Sequence, residues 1–154
     1  MTAEMTPDWE SGDPLALEQQ VCFALVVAAR NVVGVYKPLL EPMGLTHTQY
    51  LVMLALWRRA PLSVKELSRM LQLDPGTLSP MLKRLEAAGL LVRQRNSDDE
   101  RLLSVQLTAE GAKLREQALR IPPAVVARLG MDLEDLKNLH TTLTKVIAAT
   151  EELD

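Results

Sequence analysis

Reactive side chains are few. The chain holds one thiol, Cys22, and two imidazoles, His47 and His140. No Ser-His-Asp, metal-ligand or phosphate-loop spacing surrounds them. A single cysteine cannot close an internal disulfide or build a multi-cysteine metal site. A thiol peroxidase would need a turnover route, and no second cysteine supplies one. This inventory points away from an enzyme and implies no metal or cofactor. Taken alone, a lone cysteine in an apolar segment is a small, inert hydrophobe. Cys22 is expected in the third turn of such a helix, with no cation closer in sequence than Arg30.

A second group of residues has the chemistry of nucleic-acid contact. Thr77, Ser79, Lys83 and Arg84 are donors and acceptors of the kind that reach phosphates and base edges. Interleaved with them, Leu78, Met81, Leu82 and Leu85 recur at i, i+3, i+4 and i+7. That spacing is one face of a helix turned to a core, so the polar set lies on the other face. Pro80 sits within this helix, lacks an N–H, and should clash with the Gly76 carbonyl at a cost of ~3 kcal/mol. Such a local violation marks either function or a tolerated kink near the helix start.

The elements that position these residues follow from caps and periodicity. Residues 1–12 are polar and read as a loose tail. Asp13-Pro14 signals a helix start. Leu17, Val21, Leu25, Ala28, Val32 and Val35 continue the pattern, with an end expected at Tyr36 or Lys37 before Pro38. Thr46-His-Thr-Gln49 is a capping box that opens a nearly apolar, buried helix from Gln49 to Trp57. Ser63-Val-Lys-Glu66 is a second box, opening a short helix to about Leu71. Asp74-Pro75 starts a helix to Ala88, where Gly89 supplies the left-handed terminator. Leu91–Arg95 and Leu103–Leu107 alternate as a β-hairpin around the polar turn 96–100. Thr108 caps a helix from Ala109 to about Ile121, which Pro122-Pro123 breaks; a last helix runs from about Leu133 to Thr150. The order is α-α-α-α-β-β-α-α.

Two helices joined by a turn of about three residues, 72–74, and followed by a hairpin make a winged helix-turn-helix. The fold class is therefore mainly α with a small β-hairpin. Bulk charge does not drive DNA binding here: Lys+Arg number 17 against 20 Asp+Glu, a net charge of −3. Residues 62–107 hold Lys65, Arg69, Lys83, Arg84, Arg93, Arg95 and Arg101 against Glu66, Asp74, Glu86, Asp98, Asp99 and Glu100, or 7 − 6 = +1. On charge alone this is a solvated face. Contact with DNA would rest on where a few cations are placed. The longest unbroken apolar runs, Cys22–Ala29 and Leu51–Trp57, are too short to span a bilayer. The acidic N-terminus lacks a secretory n-region, so a soluble, cytoplasmic protein without membrane contact is expected.

Three stretches resemble the multiple antibiotic resistance regulator (MarR) family. They are Ser63-Val-Lys-Glu-Leu, Leu73-Asp-Pro-Gly-Thr-Leu-Ser-Pro-Met-Leu-Lys-Arg-Leu-Glu-Ala-Ala-Gly-Leu, and Asp98-Asp-Glu-Arg before Leu107-Thr-Ala-Glu-Gly. Gln20-Val-Cys-Phe-Ala-Leu, Val35-Tyr-Lys-Pro-Leu-Leu and Thr46-His-Thr-Gln-Tyr-Leu are similar to its organic hydroperoxide resistance regulator branch, of one-cysteine type. The resemblance spans about residues 15–150 and implies a homodimer. Residues 13–45 and 109–154 would interlock as its dimerisation region, and 46–108 would form the DNA-binding region. The Pro75–Ala88 helix would enter the major groove of a pseudo-palindromic double-stranded operator, with the hairpin against the minor groove. Thr77, Ser79 and Arg84 fall at contact positions in the family, with Lys83 and Arg93 beside them. Arg101 matches the wing-tip arginine, and Asp99 its orienting carboxylate.

The same resemblance makes Cys22 a sensing thiol and the protein a repressor. An organic hydroperoxide would oxidise Cys22 to a sulfenic acid. That species would condense with an external small thiol, react with a backbone nitrogen, or over-oxidise. In the branch, tyrosine hydroxyls reach the sulfur, partly from the other subunit. Tyr36 matches one of them, whereas Val26 and His47 stand where the others are missing, so His47 is the candidate replacement. Three other readings remain open at the level of sequence. They are a regulator of the same family released by a small apolar ligand, a winged helix that binds protein, and the thiol peroxidase.

Overall fold

The computed structural model describes residues 12–95, 103–151 and 153. They form two compact units that divide after Tyr50. The first unit opens with a turn. Asp13 accepts from the Leu15 amide through its carboxylate (3.0 Å) and from the Ala16 amide through its carbonyl (3.0 Å). The expected helix start at Asp13-Pro14 is thus a capped turn, followed by a single 3-10 turn at Leu17–Gln19. The long helix α1 begins later, at Val21, and runs to Leu40. Gln20 spends its side-chain amide on the Pro14 and Ala16 carbonyls at 2.8 and 3.1 Å, which tethers the turn to the helix start.

α1 also ends later than expected, because it passes through Pro38. A proline this close to a helix end removes one bond, to the Gly34 carbonyl, and the ladder closes again beyond it. A second 3-10 turn, Glu41–Met43, leads to Gly44 at φ +69° and into α2, His47–Arg59. From Val21 to Met43 the chain is long and apolar enough to cross a membrane by length and composition. Within α1 the Cys22–Ala29 run is continued beyond its end across Arg30, Asn31 and Lys37. A cation in mid-helix is costly in hydrocarbon.

The second unit takes up α2 and adds β1 (Leu62–Ser63), α3 (Val64–Leu71), α4 (Pro75–Ala87), β2 (Leu91–Arg95), β3 (Leu103–Leu107), α5 (Ala109–Ala118), α6 (Ile121–Leu129) and α7 (Leu133–Glu151). α2 starts two residues before the expected Gln49, and both bonds of its capping box form. Val52, Met53, Ala55 and Leu56 are buried as expected, but Leu54 is exposed. Leu62, Leu67, Leu78, Leu82, Leu85, Leu91 and Val105 complete a core around the helix pair and the sheet. The hairpin pairs in the expected register, Leu91 opposite Leu107 and Arg95 opposite Leu103. Two elements were not expected. β1 adds a third strand, in the order β1-β3-β2, with Leu62 opposite Val105. α6 starts at Ile121, so Pro122 and Pro123 open a helix; α5 stops at Ala118. In a first helical turn the N–H groups have no intrahelical acceptor, and proline loses nothing there.

The base of the hairpin is tied by a compact set of bonds. Gly89, at φ +79°, lets its own amide reach the Glu86 carbonyl (3.0 Å) and the Leu90 amide reach that of Leu85 (3.1 Å). This pair of bonds closes α4 as a Schellman motif. The Thr108 hydroxyl donates to the Gly89 carbonyl (2.6 Å) and accepts from the Gly111 amide (3.0 Å). The Trp57 indole N–H donates to the Gly111 carbonyl (2.8 Å).

Candidate functional site

The helix pair α3–α4 is built from local chemistry. Ser63 and Glu66 cap α3 reciprocally, at 3.0 Å to the Glu66 amide and 2.9 Å from the Ser63 amide. Gln72 adopts a left-handed conformation at φ 54°, which turns the chain. The Ser68 hydroxyl donates to the Leu73 carbonyl, and the Leu73 amide donates to the Ser68 carbonyl (3.0 Å). Asp74 then caps α4. Its carboxylate accepts from the Thr77 amide (3.0 Å) and the Thr77 hydroxyl (2.8 Å). The hydroxyl bond, with the amide bond behind it, holds the Asp74 carboxyl below its ordinary range. With its proton committed to Asp74, the Thr77 hydroxyl retains lone pairs and a methyl group for anything outside.

Leu78, Leu82 and Leu85 face inward, and Thr77, Ser79, Lys83 and Arg84 are all exposed on α4. The structure therefore places these four on one accessible helix surface. Arg93 differs. Its amide donates to Glu86 (2.8 Å) and its guanidinium pairs with the same carboxylate at 3.5 Å. Those bonds depress the Glu86 carboxyl and tie the start of the hairpin to α4. Arg93 is a part-buried, engaged cation, whereas Arg95 at the end of β2 is exposed. Asp99 and Arg101 lie outside the described residues.

Cys22 is the second residue of α1 and exposed, not a third-turn residue, because the helix starts at Val21. Tyr36 and His47 are brought together: their rings meet edge to face, with centroids 5.0 Å apart and planes at 63°. Tyr50, which sequence reasoning passed over, lies against Tyr36 at 5.8 Å. Its spacing of three from His47 on α2 was the available signal. Burial, and then the neighbouring Tyr36, push the Tyr50 hydroxyl above its ordinary range. The thiol does not join this cluster within one chain. Fourteen residues of continuous helix separate Cys22 from Tyr36, about 21 Å at 1.5 Å per residue.

Burial holds the His47 imidazole below its ordinary 6.5, so the ring is neutral at physiological pH and can donate a single N–H. Between 6.5 and the lowered value the unfolded chain binds more protons than the folded one. The stability this ring contributes is thus present in full above 6.5 and is lost as pH falls through that window. The wild-type melting temperature should fall further than that of His47→Gln between about pH 7.5 and about pH 5.5. Equal falls in a thermal scan would show that the ring is not desolvated.

A capped helix pair, an outward polar helix face and a three-stranded wing define a winged helix-turn-helix protein. The family model of the MarR family matches residues 45–103. The chain is 44% identical over 131 residues to the organic hydroperoxide resistance transcriptional regulator of Bacillus subtilis (strain 168), covering 85% of this chain and 89% of the relative. The crystal structure of AbfR of Staphylococcus epidermidis superposes with a TM-score of 0.74 at 32% identity, covering 88% of this chain and 94% of that one. Reduced AbfR bound to DNA superposes with a TM-score of 0.73 at 31% identity, covering 87% and 94%. This chain belongs to the MarR family. Its relatives are transcriptional regulators, not enzymes.

Proposed function

We propose that the protein is a homodimeric, redox-sensing transcriptional repressor of the cytoplasm. Through α4 and the β2–β3 hairpin it holds a pseudo-palindromic operator, and it releases that operator when an organic hydroperoxide oxidises Cys22. The observation that carries the sensing role is the placement of the thiol. Cys22 is exposed at one end of an apolar helix, and Tyr36, packed on His47, lies about 21 Å away along the same helix. Antiparallel pairing of two such helices would set each thiol beside the partner's Tyr36. Val21, Val26 and Val33 on α1 and Leu133, Leu139, Val146 and Ile147 on α7 are exposed in the single chain, and a second copy would cover them.

The chemistry balances without a metal. The Cys22 thiolate attacks the distal peroxide oxygen and the O–O bond breaks. The sulfur is oxidised to a sulfenate and the alkoxide leaves as an alcohol after taking a proton. An external thiol then condenses with the protonated sulfenic acid, releasing water and forming a mixed disulfide. Polar bulk between paired helices shifts them, and with them the distance between the two α4 helices. Half-site spacing on DNA is fixed near one helical turn, so a small shift lowers affinity.

The test uses a duplex selected by the full wild-type chain from a random-sequence pool. Cys22→Ser should bind this duplex as wild type does, since serine is near-isosteric. Cumene hydroperoxide with a small thiol should release wild type and leave the variant bound. Release of Cys22→Ser by the same treatment would eliminate the thiol as sensor and favour a small apolar ligand. Failure to select any duplex would eliminate DNA binding itself.

A further inference from the structure

Pro80 stands at the centre of the exposed face of α4. With about 100° per residue, its direction lies within about 15° of the one opposite Leu78, Leu82 and Leu85. Gly76 lies one turn before it on the same line, and Lys83 and Arg84 lie one turn after, to either side. The ring is exposed, so it fills no gap in the core. It also strips the Gly76 carbonyl of its helical donor. A proline that weakens the helix and lies exposed on its outer face is placed to meet something outside the chain.

That surface is set for DNA, and the inference rests on the DNA-binding reading above. Cations at Lys83 and Arg84 suit phosphates, and the Thr77 and Ser79 hydroxyls flank the ring. Pro80 itself offers a flat hydrocarbon patch with neither donor nor acceptor, in the second turn of the helix. N-terminal residues of a reading helix are those that reach base edges. The one apolar group on the major-groove edge of a base pair is the C5 methyl of thymine. The geometry points to Pro80 as a specificity-determining residue that reads a thymine methyl in each half-site of the operator.

The experiment uses the duplex selected from the random pool and copies in which single thymines are replaced by deoxyuridine, which removes only the methyl group. Wild type should lose about fourfold in affinity at one thymine position per half-site, and about fifteenfold when both are replaced, as expected for one buried methyl each. Pro80→Val keeps an apolar surface and should keep this loss. Pro80→Ser restores the backbone N–H, should melt no lower than wild type, and should bind thymine and deoxyuridine duplexes equally. If wild type is indifferent to deoxyuridine at every position, or Pro80→Ser is as sensitive as wild type, the assignment is wrong while DNA binding stands. If no duplex is selected, both are wrong.

Discussion

Leu82→Asp should leave the helix-turn-helix unit largely unfolded. Leu82 is 0% exposed and lies between Leu78 and Leu85 on the inward face of α4. No buried polar or charged residue occurs among those described, so an aspartate there meets no donor. A buried, unpartnered charge costs about 3–5 kcal/mol, and losing the leucine packing adds more. Domains of this size hold only about 5–15 kcal/mol in total. A fall of roughly 10 °C or more in melting temperature is expected, at about 2–4 °C per kcal/mol for a chain of this length. Lys83→Asp is the neighbouring control. Lys83 is exposed, so its melting temperature should stay within a few degrees while its affinity for the selected duplex falls. A normal melt for Leu82→Asp would mean that the inward face of α4 is wrongly assigned.

The contrast between these neighbours was legible in the sequence, because helical periodicity alone separates Leu82 from Lys83. Both capping boxes and the Gly89 terminator were legible for the same reason: their partners lie within five residues of one another. Where the sequence misled, a local signal had two physical outcomes. Asp13-Pro14 caps a turn as well as it caps a helix, and the Gln20 bonds that decide between them span up to six residues. Pro122-Pro123 ends one helix and opens the next with equal ease. β1 is two residues long and has no period to detect.

The sites divide in the same way. The polar face of α4 could be read from spacing, but the engagement of Arg93 by Glu86 could not, because it crosses the turn at Gly89. Cys22, Tyr36 and His47 were grouped by resemblance. Only the continuity of α1 shows that one chain brings Tyr36 to His47 and keeps both far from the thiol.

Gly111→Ala should destabilise the protein even though alanine is the better helix former. A Cβ at Gly111 would lie 2.0 Å from the Leu90 carbonyl oxygen, 3.0 Å from its carbon and 3.3 Å from Leu107 Cδ2. The first two are backbone, so no rotamer change relieves them. The same Leu90 carbonyl accepts from the Thr108 amide at 3.2 Å, and Gly111 itself is bonded to Thr108 and Trp57. Moving α5 away from Leu90 to admit a methyl group therefore stretches the Thr108 cap and the tie that closes the hairpin base. Overpacking of this kind costs about 1–3 kcal/mol or more, and the broken bonds add roughly 1 kcal/mol each. Alanine returns about 1 kcal/mol in helix propensity. The net expectation is a loss of roughly 2–3 kcal/mol, read as a lower urea midpoint with an unchanged slope. Trp57 reports the site directly. In a Trp9→Phe background its fluorescence should shift to the red in the folded variant, because the indole N–H loses its carbonyl partner. An unchanged midpoint and an unchanged emission maximum would show that α5 and the base of the hairpin are not held against each other at Gly111.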